Sequence, residues 1–160
     1  MTRGLTSSVR QTAFTLVLGL IACGDDGGGA PAGLLEDLNG VWDFTWTNTV
    51  ATGICSSEVG DVSTGVITIT EATPVAIGSA VTMTGFEGGV GNIVSGSVTT
   101  GNVIIAQGSY PEGDGNTTTR YELTSVSSTR MEGTEFWSFA NSTGSCPGSK
   151  ASVVAVLRVP

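Results

Sequence analysis

From residue 40 onward the chain alternates apolar and polar residues with a period of two. Trp42, Phe44 and Trp46 share one parity while Asp43, Thr45 and Thr47 take the other, the pattern of a strand with one buried face. Residues 66–70 repeat it with Ile67 and Ile69 on one face, and residues 80–84 with Val81 and Met83. Residues 92–98 and 102–108 flank Thr99-Thr100-Gly101, a tight hairpin connection. Residues 117–126 align Tyr121 with Leu123. Residues 130–140 align Met131, Gly133, Trp137 and Phe139, with Glu135 on the same face. Residues 152–159 are apolar on both parities until Arg158. No segment sustains a 3.6-residue apolar period. About eight strands joined by short turns predict an all-β fold, an antiparallel up-and-down β-barrel, with a two-sheet β-sandwich as the alternative.

The chain before this region has a different character. Arg3 and Arg10 precede a ten-residue apolar run, residues 13–22, which is too short for the roughly 20 residues that cross a bilayer as a helix. The run ends in Leu20-Ile21-Ala22-Cys23. This resembles the lipobox of bacterial lipoproteins, in which an aliphatic residue, a small or aliphatic one and a small one precede a cysteine. The resemblance implies cleavage between Ala22 and Cys23, a diacylglycerol on Cys23, and hence attachment to a membrane through covalent lipid, stable when two or more acyl chains are present. Residues 1–22 are then a lipoprotein signal peptide. Residues 23–33 form a lipidated cysteine and its tether, since positions 24–33 hold five Gly, two Asp, two Ala and one Pro, a composition that packs no core. Residues 34–160 form the β domain. The implied location is the bacterial cell envelope. Gly24 stands where an Asp would mark retention at the inner membrane in enterobacterial-type sorting, so the outer membrane is favoured, with Asp25 and Asp26 close by.

Charge and composition narrow the function. Six basic residues less Arg3 and Arg10 leave four against fourteen acidic ones, a formal charge of −10 for the mature chain. Four scattered cations argue against a nucleic acid partner. Histidine is absent, which removes the usual general base of a nucleophile triad and the commonest zinc ligand. Lys150 is the single lysine, so a Ser-Lys dyad would depend on it alone. With Cys23 acylated, Cys55 and Cys146 remain, and an exported domain oxidises such a pair. In a closed eight-stranded barrel the end of the first strand lies beside the start of the last, which predicts a Cys55–Cys146 disulfide at one rim.

Asn39-Gly40-Val41-Trp42 resembles the Gly-x-Trp signature at the first strand of calycins, the lipocalin and fatty-acid-binding-protein group. In that group an arginine of the last strand packs across the tryptophan, so the resemblance implies barrel closure by Trp42 and Arg158, and a small apolar ligand inside the barrel. The ligand-lining residues would be Phe44, Ile67, Ile69, Met83, Tyr121, Leu123 and Trp137. The same side chains serve equally to fill the core of a surface structural or protein-interaction module, because eight-stranded barrels do either.

No catalytic residues, metal ligands or cofactors emerge, and the chain does not read as an enzyme. Glu132 and Glu135 differ in parity and so point to opposite faces. Glu135 is expected to be turned outward by a bulge near Gly133, or else to be buried and paired with Arg120 or Arg158. Residues 112–116, Glu-Gly-Asp-Gly-Asn, contain a fragment of a calcium-loop pattern but suit a hairpin turn better. The glycine-rich stretch 88–92 lacks the lysine and helix of a phosphate loop and is expected to be a flexible connection.

Overall fold

The computed structural model describes residues 37–72, 75–89 and 91–159. The proposed signal peptide, the Ala22–Cys23 cleavage site and the tether all lie outside the described residues. Eight strands follow in order: β1 (Gly40–Val50), β2 (Val62–Glu71), β3 (Ala80–Thr84), β4 (Ile93–Thr99), β5 (Val103–Glu112), β6 (Gly115–Ser127), β7 (Arg130–Ala140) and β8 (Ser145–Leu157). Each pairs antiparallel with the next, and β8 pairs with β1 to close the barrel. The seam runs from Trp42↔Leu157 to Val50↔Lys150, so no strand is left as an edge and the sandwich alternative is set aside.

The period-two pattern sets which way each strand faces. Trp42 and Phe44 pair with Ile67 and Gly65 on one side and with Leu157 and Ala155 on the other, and both are buried. The last strand begins at Ser145 rather than near residue 152. Its first residues, Ser145-Cys146-Pro147-Gly148-Ser149-Lys150, carry no apolar alternation and pair with β7 across a register shift between Trp137 and Phe139. Within β7, Gly133 lies so close to β6 that a Cβ there would sit 1.9 Å from the Glu122 carbonyl oxygen. The neighbouring backbone therefore fills the space a side chain would take.

Each end of the barrel has its own closure. Where β1 starts, Leu38 is buried in the core and its carbonyl accepts the Trp42 Nε1 hydrogen bond at 2.9 Å. The Leu38 amide donates to Glu71 Oε2 at 2.9 Å, and the Glu71 amide donates to Asn39 Oδ1 at 2.7 Å. Gly40, at φ +151°, makes the turn from this segment into β1 where a Cβ would press on Leu157. At the opposite end, Cys55 lies in the 3-10 turn Gly53–Glu58 after β1 and is joined to Cys146 of β8, with Cα atoms 5.5 Å apart. The cysteines thus meet at one rim, as closure of the barrel requires.

The disulfide spans 91 residues of sequence, and chain-entropy arguments give up to about 4–5 kcal/mol for a loop of that size. Reduction, or the C55A/C146A pair, is expected to lower the unfolding free energy by about 2–5 kcal/mol, measured by denaturant titration of tryptophan fluorescence with and without reductant. An unchanged midpoint would show that the bridge is not formed in solution.

Candidate functional site

Two regions collect side chains capable of recognition: the lumen and one stretch of the outer wall. Six of the seven proposed ligand-lining residues, Phe44, Ile67, Ile69, Met83, Tyr121 and Leu123, come together in the lumen, each no more than 1% exposed. They pack in one cluster with Trp42, Val81, Val94, Ile104, Met131 and Val153. Trp137 stands apart from that cluster, half-buried in β7. Phe86 joins the core from the short 3-10 turn between β3 and β4, stacking on Tyr110 at 5.3 Å and tilting against Tyr121 at 5.6 Å. No alternation surrounds Phe86 in the sequence, so periodicity gave no signal for it. A lone phenylalanine before a glycine-rich connection was the available clue.

The lumen also holds a buried polar group. Glu135 is 7% exposed and faces inward. The ladder with β6 continues without a shift through Leu123↔Gly133 and Tyr121↔Glu135, so no bulge near Gly133 turns Glu135 outward, contrary to expectation. Its Oε1 accepts hydrogen bonds from Thr119 Oγ1 at 2.6 Å and Tyr121 OH at 2.8 Å, and the Tyr121 oxygen in turn accepts from Trp46 Nε1 at 3.2 Å. Neither expected arginine partner reaches it. Arg120 pairs with Glu122, and Arg158 with Asp43 at 2.6 Å, both on the exposed outer face. Burial raises the Glu135 pKa above the ordinary carboxylate range, the hydroxyls of Thr119 and Tyr121 pull it back, and the Glu112 and Glu87 carboxylates add to the rise. Burial pushes the Tyr121 and Tyr110 phenols up as well. The lumen thus favours the protonated form of Glu135.

Arg158 follows β8 and sends its guanidinium to Asp43 instead of across Trp42. The contact to the Trp42 indole N–H comes from Leu38, which the sequence pattern did not single out. Residues 112–116 form a hairpin turn centred on Gly113 and Asp114. Glu112 accepts the Thr117 hydroxyl, and both Asp114 oxygens accept from Asn141 Nδ2.

The outer wall brings together residues that are remote in sequence. The β5–β8 registers place Gln107, Arg120, Phe136 and Lys150 side by side in one row across four strands. Arg120 Cζ and Lys150 Nζ lie 5.8 Å and 5.3 Å from the centre of the Phe136 ring, within cation–π range. These residues line an open depression of about 610 Å³. Lys150, which precedes the strand expected over residues 152–159, lies within β8.

Comparison of the chain with protein-family models, with curated protein sequences and with solved structures returned no match.

The unfolded chain ionises Glu135 in the ordinary range, while the folded protein holds that proton to higher pH. Between the two pKa values the native state binds more protons, so stability falls as pH rises. E135Q keeps the shape and the Oε1 acceptor but cannot ionise. Its stability advantage over the wild type is expected to be near zero around pH 4 and to grow with rising pH until the native Glu135 ionises. Urea titrations at several pH values read this difference, and a pH-independent difference would refute it.

Proposed function

We propose that this protein is a non-catalytic lipoprotein of the bacterial cell envelope, held to the membrane through acylated Cys23, whose filled barrel presents its outer wall for interaction. The observation that carries the choice is the near-zero exposure of Phe44, Ile67, Ile69, Met83, Tyr121 and Leu123. Side chains that would line a pocket for an apolar ligand are packed against one another, and interiors at that density leave little room for a guest. What supports anchoring is the Leu20-Ile21-Ala22-Cys23 motif with its apolar run and glycine-rich tether. The Cys55–Cys146 bridge agrees with export to an oxidising compartment and takes up the two other cysteines.

Expression of the full chain in a bacterium, followed by Triton X-114 phase separation and intact-mass measurement, tests the reading. The wild type is expected in the detergent phase, starting at Cys23 with added acyl mass and the two-proton loss of one disulfide. C23S is expected in the aqueous phase. A wild-type chain still beginning at Met1 and lacking acyl mass would refute the anchor. An apolar molecule retained by the protein in native mass spectrometry would refute the filled barrel.

A further inference from the structure

The outer wall of β5–β8 carries two parallel rows. One is Gln107–Arg120–Phe136–Lys150, and the next along the strands is Ser109–Thr118–Ser138. The first row offers an aromatic ring between two cations, the second three hydroxyls. The depression they line contains no acidic side chain, although the chain has fourteen acidic residues against six basic ones. Among the described residues Lys150 makes no ion pair, whereas Arg120, Arg130 and Arg158 each do. An anionic partner is repelled by most of this surface and accepted at this patch.

We propose that this depression binds an acidic glycan, a sugar chain bearing carboxylate or phosphate groups. The proposal rests on the reading of the outer wall as the working surface and names its partner class. Phe136, flanked by the two cations, supplies apolar contact for the C–H groups of a sugar ring. Gln107, Ser109, Thr118 and Ser138 supply hydrogen-bonding groups for sugar hydroxyls. Lys150, with Arg120 on the other side of Phe136, supplies the charge for the acidic group. The site crosses three interstrand spacings, roughly 14 Å, and is open along its length, so it suits a chain more than a single small molecule.

Other anionic polymers fit less well. Nucleic acid needs many phosphate contacts, and two cations on an acidic protein do not provide them. A peptide adding as a strand needs a free sheet edge, and this barrel is closed. A helix seated in a groove covers its floor with an apolar face, which would leave the hydroxyl, amide and charged groups along this depression without partners.

Calorimetric titration of the full-length protein in detergent micelles, at low and high salt, tests the idea with three probes: oligogalacturonate, maltodextrin of matched length and oligoglutamate. Oligogalacturonate is expected to bind, more weakly at high salt. K150Q and F136L are each expected to reduce its affinity about fivefold, the scale of one exposed ion pair or ring contact. Both positions are on the outer face, and a matching far-UV spectrum checks that each variant is folded. Maltodextrin, which lacks charge, and oligoglutamate, which lacks sugar rings, are expected to bind at least as weakly as the variants do. No detectable oligogalacturonate binding, equal binding of oligoglutamate, or unchanged affinity in K150Q would overturn the proposal. Failure of the anchor reading is separable, because it appears as aqueous partitioning and leaves the titration result intact.

Discussion

The pairing of β1 with β8 is the constraint on which everything else depends. While that seam is open, two strands present unpaired backbone amides and carbonyls, and the sheet has edges that invite association with other chains. Once it closes, inside and outside are defined for every strand at once, because side chains alternate strictly across the sheet. The protein reinforces the seam along its length. Leu38, held by Trp42 and Glu71, covers one end. The Cys55–Cys146 bridge ties the region after β1 to the start of β8 at the other. Arg158, just beyond β8, reaches Asp43 of β1 on the outside. That last pair is solvent-exposed and contributes little by itself, so sealing rests on apolar packing and the disulfide.

Closure also explains the mixed lumen. An apolar cluster fills much of the interior, while Thr117, Thr119, Glu135 and Ser149 are buried polar members. A carboxylate in that setting costs several kcal/mol unless compensated, and no cation faces Glu135 among the described residues. Hydroxyl donors from Thr119 and Tyr121 provide part of the compensation, and burial raises the Glu135 pKa above the ordinary carboxylate range. Glu71 is the counterpart where the chain enters β1. Its Oε2 accepts the Leu38 amide and its Oε1 is buried without a hydrogen bond, so burial raises its pKa too.

The strands were legible because each carries its pattern locally. Trp42 and Phe44, Ile67 and Ile69, and Tyr121 and Leu123 alternate with polar residues that face water, and the structure buries all six. The meeting of Cys55 with Cys146 was legible for a topological reason, since a closed barrel with an even number of strands brings those two points together. What escaped depends on pairing between distant segments. The first half of β8 has no alternation of its own and is a strand because β7 pairs with it. The orientation of Glu135 is set by an unbroken register with β6, although Gly133 suggested a bulge. The row of Gln107, Arg120, Phe136 and Lys150 exists only as the product of three registers, and no window of sequence contains it.

That row is also where a filled barrel differs from a hollow one in what it can recognise. A hollow barrel selects by enclosing its ligand, whereas a filled one has only its wall, and a flat wall must select by fixed placement of a few groups. Here the strand ladders fix the spacing between Arg120 and Lys150, and the Phe136 ring between them restrains both cations. Restrained side chains lose less entropy on binding. Glu122 neutralises part of Arg120 from the same strand, so charge alone gives a partner little advantage. A polymer carrying only charge gains one strong contact at Lys150, while a partner with a ring for Phe136 and hydroxyls for the serine and threonine row gains several at once. Weakening the purely ionic competitor in this way is how a surface with few cations acquires specificity.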